Sequence, residues 1–148
     1  STQSDRFLTG PNLSLVIQQS LVVGVLAIGQ TLIILTAGID LSCGAVMALA
    51  SVVMARVAVV NGINPFIALL LGILVAALFG VANGVLITRF DLPPFIVTLG
   101  TLNIAFAITH IYSQNQTITR VPDLLGVLGN TFRIGGTSIT YGTVLMFA

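Results

Sequence analysis

Charge is nearly absent from this chain. Of its 148 residues only 6% are charged and 56% are hydrophobic, with a mean hydropathy of +1.11, whereas roughly a quarter of a soluble domain's residues are charged. A soluble globular domain is excluded, and the solvent for most of the sequence is lipid. Lysine is missing: the five basic residues are all arginine, scattered singly, and against four acidic residues they leave a formal net charge of +1. No basic patch exists to hold nucleic acid or an anionic surface. Cysteine occurs once, at Cys43, which excludes an internal disulfide framework and a thiolate metal site. There is no Walker-type glycine loop, no Ser-His-Asp set and no paired carboxylate, and His110 has no Cys or carboxylate at ligand spacing. No catalytic, cofactor-binding or metal-ligating residue is assigned, and an integral membrane enzyme is disfavoured.

What is there is a series of apolar runs. A hydrocarbon core about 30 Å thick needs about 20 apolar residues of helix. Charge-free Leu13 to Ala37 meets that length, and so do Pro65 to Thr88 and Pro94 to Tyr112; Leu41 to Val60, which contains Arg56, is the weakest. A further run begins near Thr140 and stops at Ala148. The breaks between them are short, namely AGIDLS, NGIN and RFDLPP, except for a long polar segment from Ser113 to about Ser138. Backbone left unpaired in lipid costs several kcal/mol per group, so such runs are helices that thread back and forth. The expected class is all-α: a polytopic membrane protein with four complete transmembrane helices and a truncated fifth. Residues 1–148 then form a single transmembrane domain, an internal fragment incomplete at both ends.

Small residues predict how the helices pack. Gly72, Ala76, Gly80 and Gly84 recur every four residues in the third run, and Gly44, Ala48, Ser51 and Ala55 form a similar stripe in the second. Lipid supplies no hydrophobic drive for helix association, and close backbone approach along a small-xxx-small face is a common substitute.

One carboxylate stands inside the apolar stretch LTAGIDLSCGAVMALA. Gly38 can end the first helix, and Asp40 stands just before a new apolar run, where its carboxylate can accept the N–H of Ser42 or Cys43 as a helix cap. Equally, an ionisable group at membrane depth commonly faces a polar pathway, and a broken helix offers backbone groups to a solute. Both readings of Asp40 stand. Farther on, Pro93 and Pro94 force extended chain and then a helix start at or near Pro94. Within the helices, Gln30, Thr31, Thr36, Asn83, Thr98, Thr101 and Asn103 are uncharged hydrogen-bonding groups. Of these, Gln30, Thr31, Asn83, Thr98, Thr101 and Asn103 are candidates to line a pathway for a neutral polyol.

The segment TLIILTAGIDLSCGAVMALA resembles the signature of the membrane permease subunits of bacterial ATP-binding-cassette importers for monosaccharides, within the branched-chain amino acid and sugar permease superfamily. The signature positions are Gly38, Ile39, Asp40, Leu41, Ser42 and Gly44; Ala37 stands where the family pattern has glycine, and Cys43 where it has valine. NLSLVIQQS and VANGVLITRFDLPPFIVTLGT are similar to further family segments, so the resemblance covers about Asn12 to Gly142. It implies that the first family span is missing and that the chain ends inside the sixth, roughly half of a permease of about ten helices.

The resemblance implies a multi-pass protein of the bacterial inner membrane that takes up a ribose-, xylose- or fructose-like sugar. It implies as partners a second permease subunit in a homodimer, cytoplasmic ATP-binding subunits and a periplasmic sugar-binding protein, besides membrane lipid. No cofactor is expected on this chain; ATP belongs to the partner ATPase subunits. It also puts the Ser113 to Ser138 segment in the periplasm, whereas a count of arginines, with Arg6, Arg120 and Arg133 on one side and Arg89 on the other, puts that segment in the cytoplasm. The competing reading is an ion-coupled secondary carrier in which Asp40 binds the ion at a broken helix.

Overall fold

Each apolar run closes into helix, because lipid offers no partner to a free N–H or C=O. The computed structural model describes residues 9–116, 118, 122, 131–134 and 137–140. Their order is α1 (Gly10–Leu35), α2 (Cys43–Val59), α3 (Pro65–Arg89), α4 (Pro94–Ser113), β1 (Thr131–Ile134) and β2 (Thr137–Thr140). Helices long and apolar enough to cross a membrane are α1 over Leu15–Leu35, α3 and α4.

The helical, polytopic class read from the sequence is the class of the structure, with two differences of detail. The run at Leu41 to Val60 makes a helix of 17 residues, roughly 25 Å long, which starts two residues later than expected. The long polar segment contains an antiparallel pair of short strands, in register from Thr131↔Thr140 to Ile134↔Thr137. The expected fifth span lies outside the described residues, save for Thr140, which closes β2.

The chain divides into two compact units, one of Ser1–Thr31 with Gly126–Ala148 and one of Leu32–Leu125. The described part of the first holds most of α1 and the strand pair. In the second, α2 is the central helix and packs against both α3 and α4. Its core mixes alanines with larger aliphatic side chains: Ala45, Leu49 and Ala105 at one level, Val57, Ala58 and Ala68 at another, with Val53 touching both. Gly72 shows how close α2 and α3 come. A Cβ built there would run into the Met54 side chain and lie 3.2 Å from the Ala50 carbonyl.

The rest of the stripe behaves differently from the expectation. Ala76 is half-buried, while a Cβ on Gly80, Gly84 or Gly44 has nothing within 4 Å among the described residues. The face of α2 that packs carries Ala45, Leu49, Ala50, Val57 and Ala58, one position round from the predicted Gly44-Ala48 stripe. The physical reason is geometric: a four-residue repeat drifts around a helix of 3.6 residues per turn, and only the stretch facing the neighbour is used.

The outside of the second unit is apolar and its inside partly polar. Leu35, Leu78, Val81, Ile96 and Ile111 lie exposed, while Ser42, Asn83, Thr98 and Thr101 are buried. An apolar surface of this extent is what a lipid-facing protein presents.

Candidate functional site

The site is the break between α1 and α2. After Leu35 the chain turns through Ala37, whose φ of 57° is left-handed, and the amides of Ala37 and Gly38 close on the carbonyls of Ile34 and Ile33 at 2.9 and 3.0 Å. This is the doubly bonded helix ending that glycine favours. The left-handed residue is therefore Ala37, and not Gly38 as the sequence implied. Gly38 fits closely for another reason: a Cβ there would lie 3.1 Å from Ile33 Cγ2 and 3.3 Å from the Ile33 carbonyl.

Asp40 then folds its carboxylate forward. Its Oδ1 accepts the backbone N–H of Ser42 at 2.7 Å and the Ser42 hydroxyl at 2.6 Å. The N-cap position of α2 is Ser42, which makes no side-chain cap bond of its own. Asp40 thus acts one turn ahead of the helix, ordering the approach to it. This local turn displaces the start of α2 from Leu41 to Cys43, because residues held in such a turn are not free to join the first helical turn.

From Ser42 the bonds run outward to the other helices. Asn83 Nδ2 on α3 donates to Ser42 Oγ at 3.1 Å, and Thr101 Oγ1 on α4 donates to Asn83 Oδ1 at 2.5 Å. Thr98, one turn back on α4, shares its hydroxyl proton between the Pro94 carbonyl at 2.8 Å and the Ile39 carbonyl at 3.1 Å. Exposure is only 1% at Ser42, 2% at Thr98, 7% at Asn83 and 8% at Thr101, so these bonds form where a missing partner would cost most. Among the described residues, no buried side-chain N or O lacks a partner.

Two grooves flank this network. One, about 350 Å³, runs between α2 and α3 and is lined at its polar end by Asp40, Ser42, Cys43 and Asn83 and farther along by Met47, Met54 and Gly72. The other, about 390 Å³, is lined by Thr36, Gly38, Asp40, Asn83, Thr88 and Thr98. Asp40, Gly80 and Asn83 border both.

Of the candidate pathway residues, Asn83, Thr98 and Thr101 come together with the signature residues Ile39, Asp40 and Ser42. Gln30 and Thr31 belong to the other compact unit, and Thr31 is exposed and bonds back to the Ala27 carbonyl. Asn103 is exposed and bonds back to Leu99. A polar side chain on a helix has its own backbone as an alternative partner. Pro93 occupies the N-cap of α4 with φ −58° and ψ 128°, and Pro94 is the first helical residue, as their restricted angles require.

Sequence reasoning missed the partner of Arg56. The guanidinium donates to the Tyr112 carbonyl and lies 5.0 Å from the centroid of the Tyr112 ring. Arg56 is in the last turn of α2 and Tyr112 in the last turn of α4, so a cation meets both a helix C-terminus and an aromatic face. A lone arginine near the end of a short span was the available signal. Among the described residues no group of three His, Cys, Asp or Glu could hold a metal.

The family model described as the permease component of branched-chain amino acid transport systems matches residues 12–148. The chain belongs to that family. It is 44% identical over 147 residues to the fructose import permease of Rhizobium meliloti, covering 95% of this chain and 41% of that protein. The ribose import permease of Bacillus subtilis is 40% identical over 113 residues, 76% of this chain and 35% of that one. The D-allose transport system permease of Escherichia coli is 39% identical over 119 residues, 80% and 36%. The chain spans about two fifths of the length of these curated relatives, and no solved structure matches it. The family is one of transport permeases and not of enzymes, and with its apolar helices this member is a multi-pass protein of the bacterial inner membrane.

Proposed function

We propose that the chain is part of the membrane permease subunit of an ATP-binding-cassette importer that moves a monosaccharide across the inner membrane. The carrying observation is the family match over residues 12–148, joined by relatives named as fructose, ribose and allose permeases. In this reading the subunit forms a homodimer, receives sugar from a periplasmic binding protein and is driven by cytoplasmic ATPase subunits. The chain itself catalyses nothing and binds no cofactor; ATP is held and hydrolysed by its partners. Asn83, Thr98 and Thr101 on facing helices belong to the polar interior that a neutral polyol needs, and Asp40 holds the helix break that opens onto it.

The carrier reading draws less support, because Oδ1 of Asp40 is taken up by both the N–H and the O–H of Ser42. Uptake by vesicles containing the full permease and its partners separates the two. Uptake that requires ATP and the binding protein, and survives an ionophore at constant ATP, supports the importer. Uptake that collapses with the ionophore and ignores the binding protein overturns it.

A further inference from the structure

The bonds from Thr101 to Asp40 form a chain with one direction. The Ser42 hydroxyl donates to Asp40 Oδ1 at 2.6 Å, and a carboxylate oxygen can only accept. Having spent its proton, Ser42 Oγ can only accept, and only the NH₂ side of Asn83 can supply it, at 3.1 Å. That turns the amide oxygen of Asn83 toward Thr101, whose hydroxyl donates at 2.5 Å. The amide orientation is dictated by this sequence of donors and not by shape alone. Asn83 is the pivot of the chain, since no other uncharged side chain of its size both accepts and donates through fixed atoms. The bonds join three separate elements: the break, α3 and α4.

We propose that Asn83 is a positioning residue for transport: through the Ser42 hydroxyl its amide holds the Asp40 carboxylate, and with it the helix break that borders both grooves. The consequence for transport rests on the importer reading above; the hydrogen-bond logic does not. Among the described residues, the titratable groups that line the two grooves are Asp40 and Cys43. Both stand on the break and the start of α2, and α3 and α4 contribute none to the lining.

The decisive variant is Asn83→Asp, which keeps shape and replaces the NH₂ donor by oxygen. When protonated, the introduced carboxyl can donate to Ser42 and accept from Thr101, reproducing the chain. When ionised it cannot donate, and two carboxylates then face a hydroxyl with a single proton. The chain is therefore intact while the introduced carboxyl keeps its proton and is lost as rising pH removes it.

The experiment measures binding-protein-stimulated ATP hydrolysis by the assembled transporter, and thermal unfolding of the full permease in detergent, from pH 5 to 8. The amide of the unmodified protein does not titrate, so each variant is scored relative to it at the same pH. Expected for Asn83→Asp is a fall in relative stimulated activity of about tenfold or more toward pH 8, the equivalent of one lost buried hydrogen bond of about 1.4 kcal/mol, with a parallel drop in unfolding temperature. Thr101→Val removes a donor without adding a charge and should lower both readouts equally at every pH, and Thr101→Ser should restore them. A loss in Asn83→Asp that is the same at all pH values overturns the proposal, as does no loss at all. A pH-dependent unfolding temperature with activity unchanged confines the chain to folding and overturns the transport role. If the unmodified complex shows no stimulated hydrolysis, the importer reading fails, and the unfolding profile still decides the hydrogen-bond logic.

Discussion

At the scale of single residues the break between α1 and α2 holds both a strained position and a well-matched one. Ala37 is left-handed with φ 57°, a conformation that costs an L-residue about 1–2 kcal/mol. Ala37→Gly relieves that cost at the expense of a more flexible unfolded chain, for a net gain of about 0.5–1 kcal/mol. The expected outcome is a higher unfolding temperature of the full permease, and an unchanged or lower one would refute the assignment of strain to this residue. Asp40 is the well-matched residue. Because its role here is to accept two bonds at Oδ1, Asp40→Asn should assemble in near-normal yield. Asp40→Leu leaves the Ser42 amide and hydroxyl without that acceptor, costing about 1–3 kcal/mol, and should reduce the yield of membrane-inserted protein measured after detergent extraction. Equal yields from the two variants would contradict the turn described here.

At the scale of elements, α2 is held by close approach on one side and by a cation on the other. Gly72 sits against Met54 and the Ala50 carbonyl, so Gly72→Val crowds the Met54 side chain and the Ala50 carbonyl. Overpacking of this kind costs about 1–3 kcal/mol, to be read as a lower unfolding temperature. On the α4 side, Arg56→Met keeps the apolar stem and removes both the bond to the Tyr112 carbonyl and the contact with its ring. A loss of about 1–2 kcal/mol is expected, with partial recovery in Arg56→Lys, whose ammonium reaches the ring but lacks the planar fork. A fully stable Arg56→Met would show that the pair is incidental.

At the scale of the whole molecule, the alternation of helices ties Arg89 and Asp91 to one side of the membrane and the segment after Ser113 to the other. The importer reading places the former in the cytoplasm, against the count of arginines. Cysteine labelling of intact cells in a Cys43→Ser background should therefore modify position 125 and spare position 91. The reverse pattern would invert the topology.

Much of this molecule was legible in the sequence, because apolar length against bilayer thickness is a local property. The ends of α3 and α4, Pro65 to Arg89 and Pro94 to Ser113, lie within a residue of their apolar runs. Pro93 and Pro94 dictated their own angles, and Asp40 is bonded two residues away. The polar candidates could not be sorted in the same way. Thr31, Thr98, Thr101 and Asn103 are alike as sequence, each a small polar group on an apolar helix. Only tertiary structure decided that Thr98 reaches a carbonyl 59 residues back and that Asn83 meets a hydroxyl 41 residues back, while Thr31 and Asn103 turn to their own helices. The physical reason is that periodicity states which residues share a face, but not which face meets a neighbour. Rotation of each helix about its axis is set by packing contacts such as Ala50 against Gly72, and those contacts exist only between elements.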